Sequence, residues 1–149
     1  MSIAILHWVD NELHQNRNDT IHDFLAYLAE QMIEMNKRKN EEIRGFLKWL
    51  EREVGAKIDD LINKTAIKDY HEHSFDDLLE VLKKNKKKIS GDPSDRSKQE
   101  MLEKHFMSSM SILGPLKASI TATDDLIDEI VYKLYTLTEE EIRIVKGKN

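Results

Sequence analysis

Cysteine is absent from the sequence, and glycine and proline are scarce, with five and two residues among 149. Without cysteine the chain has no disulfide framework, no thiolate metal site and no cysteine nucleophile. So few glycines and prolines disfavour a sheet protein with many tight turns, because such turns depend on both residues. No stretch approaches the roughly 18 consecutive apolar residues that cross a membrane. We therefore expect a soluble, cytoplasmic protein that does not associate with a membrane.

The common sequence motifs of enzymes are also missing. The sequence contains no GxGxxG pattern, no phosphate loop, no GxSxG elbow and no HExxH pair. A group of carboxylates near the C-terminus has the spacing of the solvated face of a helix, which we favour over an acid and base pair. This group consists of Asp124, Asp125, Asp128 and Glu129. We predict a chain that is not an enzyme and that holds no cofactor.

The best candidates for metal ligands are His71 and His73, which flank Glu72. Two alternating ligands suit a strand or a loop, but no third and fourth ligand follow at an offset typical of a metal site. We therefore predict no metal site.

The composition favours helices. Charged residues make up 34% of the chain and hydrophobic residues 40%, a balance typical of long helices with solvated faces. The length of 149 residues is that of one ordinary domain. We predict an all-α fold with a single helical domain at residues 20–149. Residues 1–19 precede it as an apolar arm, which is either a short helix or a strand-like segment.

The first long helix is predicted from apolar residues that recur at intervals of three and four, from Ile21 to Val54. Asp19 or Thr20 is placed to cap its start, and Gly55 is placed to end it. Residues 56–73 lack a sustained period, so we predict a turn of helix followed by a loop.

A shorter helix and a second long helix follow. Ser74 and Asp77 have the spacing of a capping box at the start of the shorter helix. Residues 89–95, ISGDPSD, break the helical pattern. Apolar residues then keep helical spacing from Leu102 to Leu134, with a kink predicted at Pro115. Two long helices with this connection can lie antiparallel, so we predict a helical hairpin or a small bundle with coiled-coil-like stripes.

The C-terminus has the signals of one more helix. Thr138 and Glu141 have the spacing of a capping box, and Gly147 is placed as the residue after the last helical turn. We predict a short capped helix between them.

Five lysines cluster where the shorter helix ends, in the sequence LKKNKKKI: Lys83, Lys84, Lys86, Lys87 and Lys88. Lysines at a helix C-terminus complement the negative end of the helix dipole without any ligand. The same lysines can bind the phosphates of DNA, which gives salt-dependent affinity without base readout. The residues alone leave both interpretations open.

Three stretches resemble, in the same order, the extreme C-terminal segment of adenine-N6 DNA methyltransferases and of fused type II restriction-modification enzymes. They are AEQMIEMNKRKNEEI (29–43), DDLINKTAIKDYHEHSFDDLLEVLKKNKKKI (59–89) and TDDLIDEIVYKLYTLTEEEIRIVKG (123–147). In the last stretch Thr136 stands where glycine is usual in that family. The resemblance implies a helical segment that follows a target-recognition domain, and it favours DNA contact by the five lysines.

The catalytic parts of those enzymes are missing from this chain, which has no glycine motif for a methyl donor and no Asn-Pro-Pro-Tyr tetrapeptide. We therefore expect a non-catalytic DNA-recognition-associated or scaffold module that acts with a separate methyltransferase or nuclease subunit of a restriction-modification system. The alternative is a helical protein-interaction module, or the remnant of a disrupted gene, that forms an oligomer without DNA contact. The long apolar stripes and the apolar arm predict a homo-oligomer or another protein partner.

Overall fold

A computed structural model describes residues 2–135 and 143 of the chain, and the side chains of residues 3–135 and 143. The described residues contain no strand. The helices are α1 (Ser2–His14), α2 (Asn18–Val54), α3 (Lys64–Lys68), α4 (Phe75–Lys84) and α5 (Arg96–Leu134), with 3₁₀ turns at Ile58–Asp60 and Tyr70–Glu72. The predicted all-α class is confirmed. The short capped helix predicted from Thr138 lies outside the described residues.

The chain divides into two compact units. The first unit comprises the described parts of Met1–Asn36 and Ala118–Asn149, and the second comprises Lys37–Lys117. Both α2 and α5 contribute residues to each unit. The boundary that we predicted between residues 19 and 20 falls inside the first unit, and the predicted domain organisation stays a prediction. Among the described helices, none is long and apolar enough to cross a lipid bilayer.

Helix α2 ends where the sequence predicted. Gly55 has a φ of +64°, in the left-handed region that glycine adopts without steric cost. A Cβ atom at this position would lie 2.6 Å from the Ser90 hydroxyl oxygen, and the Ser90 amide donates to the Val54 carbonyl at 2.7 Å. The backbone conformation therefore favours glycine here, and any other residue would also require the Ser90 side chain to shift.

The start of α2 differs from the prediction, because the helix begins at Asn18, ahead of both predicted capping residues. A turn precedes it. Asn16 has a φ of 57°, and the Arg17 guanidinium binds the Glu12 carboxylate with N–O distances of 2.6 and 2.8 Å. This ion pair joins the end of α1 to the residue before α2. Because α2 begins at Asn18, the prediction of Asp19 or Thr20 as the cap is wrong.

Helix α4 begins with the predicted capping box. The Asp77 amide donates to the Ser74 hydroxyl oxygen at 3.1 Å, and the Ser74 amide donates to the Asp77 carboxylate at 3.3 Å. Two amides that the helix leaves without a carbonyl partner are thereby satisfied. Leu78 and Leu82 of the same helix are buried, as the apolar spacing predicted.

Helix α5 is a single helix of 39 residues that contains Pro115. The predicted second long helix is confirmed, and the kink predicted at this proline stays a prediction. The segment between α2 and α4 contains more regular structure than we predicted, since α3 and both 3₁₀ turns lie within it.

In the second unit, α2 and α5 pack antiparallel. Trp49 stacks on His105 with ring centroids 3.9 Å apart, and Phe46 contacts Phe106 edge-on at 6.3 Å. The earlier residue of α2 therefore contacts the later residue of α5, which confirms the predicted antiparallel pairing in this unit. Thirteen buried residues form its apolar core, among them Leu50, Ile67, Tyr70, Leu82 and Leu113.

In the first unit, the N-terminal apolar residues form α1, which is one of the two conformations that the sequence left open. Val9, Ile21, Leu28 and Ile130 form the buried core of this unit. At its edge the Lys133 ammonium donates to the Asp10 carboxylate at 3.0 Å.

Candidate nucleic-acid interface

The five clustered lysines lie on one short part of the second unit. Lys83 and Lys84 are in the last turn of α4, and residues 86–88 are in the turn that follows it. All five side chains are exposed. The structure therefore brings together the residues that the sequence selected as candidate DNA contacts.

A buried side chain at the centre of the cluster fixes the turn. Asn85 is only 1% exposed. Its side-chain oxygen accepts from the Ile62 amide at 2.8 Å, and its side-chain nitrogen donates to the carbonyls of Ile62 at 3.0 Å and Val81 at 2.9 Å. Because buried polar atoms are costly without partners, the two bonds to Ile62 hold the turn against the segment before α3, and the bond to Val81 ties the same side chain back to α4.

The lysines differ in their partners. The Lys88 ammonium donates to the Asp60 carbonyl at 3.3 Å, which adds a second tie to the same segment. Within residues 2–135, Lys83, Lys84, Lys86 and Lys87 form no salt bridge. No carboxylate of the described residues therefore lies within 4 Å of these ammonium groups, which can meet an anion from solution.

Three further lysines lie beside this turn around Asp59. Lys68 forms a salt bridge with Asp59 at 2.6 Å, and the hydrogen bond from Lys68 is the largest cause that holds the pKa of Asp59 below its usual value. Lys64 and Lys57 lower the same pKa through their charges. These three lysines were not predicted from the sequence, because a mixed run of lysine and aspartate does not show which lysines surround one carboxylate.

A groove borders the lysine turn on the side of α4. Its volume is about 350 Å³, and its lining includes Lys84 together with the acidic residues Asp77 and Glu80. Ala66, Leu78 and Val81 contribute apolar atoms to it. The carboxylates limit the basic surface on this side, so an anion would contact the lysines over a small area.

The histidines considered as metal ligands have different partners. The His71 Nδ1 atom lies 3.2 Å from the Lys117 ammonium, whereas the His73 Nδ1 atom lies 4.0 Å from the Asp77 carboxylate. An ammonium group beside an imidazole disfavours a cation there. The structure also places carboxylate oxygens of Asp124, Asp125 and Asp128 within 4.8 Å of one another, but exposed acidic groups commonly lie this close without an ion.

Comparison with known proteins gives a family and no named relative. No curated protein and no solved structure matches the chain. Residues 17–131 match the model of a family described as a domain of unknown function, DUF8810. That match covers most of the chain, from the turn before α2 into the last turns of α5, and the chain therefore belongs to the DUF8810 family.

Proposed function

We propose that the chain is a non-catalytic helical module that contacts DNA phosphates through the lysine turn, Lys83–Lys88. It would act in the cytoplasm as a recognition-associated or scaffold part of a restriction-modification system, with a separate methyltransferase or nuclease subunit. Two observations support this proposal: the resemblance of three sequence stretches to the C-terminal segment of such enzymes, and the geometry of the lysine turn.

The observation that carries the proposal is the position of four exposed lysines around buried Asn85, none of which forms a salt bridge with a residue that the structure describes. A lysine that only complements a helix dipole needs to lie in the last turn of α4. Lys86 and Lys87 lie beyond that turn, so the dipole does not account for them. Phosphate contact accounts for the lysines in the last turn of α4 and for those beyond it, because each neutralised phosphate releases condensed counterions.

The expected affinity is weak and independent of sequence. The net charge of -5 means that the rest of the chain adds little attraction for DNA, and Asp77 and Glu80 border the lysines. Contacts to phosphates position a protein on the duplex without reading its bases. We therefore expect the separate subunit to supply target recognition.

The test removes three of these lysine charges together: Lys84→Gln, Lys86→Gln and Lys87→Gln. Binding to fluorescent duplexes of several sequences is measured by anisotropy at a series of salt concentrations. We expect the affinity to fall for all duplexes alike, and the slope of log K against log salt to flatten by up to about 3, at about 0.9 per phosphate contact.

The matched control makes the same charge change at three exposed lysines elsewhere in the second unit: Lys37→Gln, Lys48→Gln and Lys104→Gln. If the control weakens binding as much as the test variant, net charge rather than the lysine turn governs the affinity. Equal and negligible DNA binding by wild type and both variants at low salt, with intact helical circular dichroism, would reject the proposal.

A second candidate function is a helical interaction module that self-associates without DNA. The first unit favours it, because Ile3 is 74% exposed and Tyr27 is 53% exposed. Beside them, Ala4, Ile5, Trp8 and Phe24 line an almost wholly apolar groove of about 310 Å³. Exposed apolar surface of this kind marks interfaces in many proteins.

Sedimentation equilibrium over a wide concentration range tests this candidate. We expect an oligomer that Tyr27→Glu dissociates, while Ile62→Glu, at a half-exposed position in the second unit, leaves the mass unchanged. A monomeric mass for the wild type at all concentrations would count against self-association.

A further inference from the structure

Lys117 of α5 contacts the 3₁₀ turn Tyr70–Glu72 with all three of its ammonium donors. The ammonium donates to the Glu72 carboxylate at 2.8 Å and to the His71 carbonyl at 3.2 Å, and it lies 3.2 Å from the His71 Nδ1 atom. The His71 side chain is only 10% exposed. This cluster lies within the second unit and joins residues that are 46 positions apart in the sequence.

The contact between Lys117 and Nδ1 exists in only one protonation state of His71. A lysine ammonium has donors and no acceptor, so Nδ1 must offer its lone pair and the imidazole must be neutral. Protonation places an N–H group at Nδ1 and a second positive charge 3.2 Å from the Lys117 nitrogen. The Lys117 ammonium and the protonated His71 ring then repel each other.

Glu72 provides an alternative partner for the protonated ring. Its carboxylate oxygen lies 3.4 Å from the His71 Nδ1 atom and 2.8 Å from the Lys117 nitrogen. An imidazolium can donate to this oxygen over a small displacement, in competition with Lys117. The Glu72 carboxylate therefore lies between two donors, the Lys117 ammonium and the His71 ring, and the ring can donate to it only when Nδ1 carries a proton.

We propose that His71, Lys117 and Glu72 form a pH-sensitive clasp, which holds the Tyr70–Glu72 turn on α5 at neutral pH and releases Lys117 when His71 binds a proton. The release is local, because Tyr70 is anchored separately. Its hydroxyl lies 2.7 Å from the Ser109 hydroxyl, and its ring stacks on Phe46 at 4.2 Å.

The charged groups around His71 come from three elements. Burial of the imidazole is the largest cause that lowers the pKa of His71 from its usual 6.5, followed by the charge of Lys117 on α5. Lys39 of α2 also lowers it, whereas Glu72 and Asp69 beside the histidine raise it. The pKa of Glu72 lies below its usual 4.5, first through its hydrogen bond from Lys117.

The first test is nuclear magnetic resonance titration of the histidine rings in the full-length protein. We expect the ¹⁵N shifts of His71 at neutral pH to show a proton on Nε2 and none on Nδ1. Lys117→Met should move the protonation midpoint of His71 upward, and Lys104→Met, at an exposed position of the same helix, should leave it unchanged. A proton on Nδ1 at neutral pH, or a midpoint that Lys117→Met does not move, would overturn the proposal.

The second test measures opening of the clasp by amide hydrogen exchange at residues 70–73, corrected for the intrinsic pH dependence of exchange. Opening should increase by up to about tenfold per pH unit as the pH falls between the midpoints of the open and closed forms. His71→Asn keeps an acceptor near the position of Nδ1 but cannot titrate, so it should abolish this dependence. The same pH dependence in wild type and His71→Asn would reject the clasp, and if the variant does not fold, the Lys117→Met titration decides.

Discussion

In the second unit, Tyr70, Asn85 and Lys117 each bind a polar group that is distant in the sequence, by 39, 23 and 46 positions. In the first unit, four apolar residues form the buried core, and the Lys133–Asp10 pair lies at its edge. Polar contacts have strict distance and angle requirements, whereas apolar packing tolerates small shifts. The second unit is therefore the better scaffold for a positioned site, and the first unit is the better candidate for an adaptable protein contact.

The largest effect on stability is expected when the Phe46 ring is removed from the aromatic core of the second unit. Phe46 is 5% exposed and contacts the rings of Tyr70, Trp49 and Phe106. Phe46→Ala should lower the free energy of unfolding by about 3–5 kcal/mol, because it leaves a cavity among packed rings. Urea denaturation measures the loss, and Ile33→Ala, at an exposed position, should change stability by less than about 0.5 kcal/mol.

A loss below about 1 kcal/mol for Phe46→Ala would mean that the rings repack, and that apolar packing contributes less to the second unit than its burial indicates. Leu28→Ala tests the apolar core of the first unit in the same way. We expect about 2–3 kcal/mol there, since a smaller side chain leaves a smaller cavity.

The next largest effect on stability is expected at Asn85, which acts through hydrogen bonds and not through apolar packing. Asn85→Ala leaves the partly buried amide and carbonyl of Ile62 without their side-chain partner. We expect a loss of roughly 1–3 kcal/mol in the free energy of unfolding. Faster hydrogen exchange at the Ile62 amide would show that the lysine turn has detached. Asn40→Ala, at an exposed position of α2, is the control, and an equal effect of both substitutions would contradict a positioning role for Asn85.

Tyr70 should make the stability of the second unit depend on pH in the alkaline range. Burial raises the pKa of Tyr70 from 10.0 to about 12, with the Ser109 hydrogen bond opposing it. Since the unfolded chain ionises first, stability should fall as the pH rises from about 10 to about 12. Tyr70→Phe should remove that fall and cost about 1 kcal/mol at neutral pH through the lost hydrogen bond. Thermal unfolding at a series of alkaline pH values provides the measurement, and an unchanged pH profile in the variant would refute this assignment.

The smallest effect is expected at the ion pair of the first unit. The Asp10 side chain is 49% exposed, so water screens its attraction to Lys133. Asp10→Asn should lower stability by less than about 1 kcal/mol, and less still at high salt. A loss above about 2 kcal/mol would show that this ion pair stabilises the first unit more than its exposure to solvent indicates.

Much of the fold was predictable because its signals are local. The end of α2 at Gly55 and the start of α4 at Ser74 each depend on residues within a few positions, and the structure confirms both. The start of α2 at Asn18 was predicted wrongly, although the Arg17–Glu12 pair before it is also local, with its residues five positions apart. The DNA-contact role of the lysines stays a prediction, although their exposure and clustering were visible in a single run of sequence.

The sequence by itself determined the helical class, the two long amphipathic helices and the clustering of five lysines, because each follows from spacing along one segment. Only the tertiary structure decided which polar side chains became buried partners. Asn85 is one polar residue within a run of lysines until its side chain meets Ile62, and His71 has no special environment until α5 brings Lys117 beside it. The physical reason is that burial and hydrogen bonding depend on neighbours in space, and local periodicity along the sequence does not specify those neighbours.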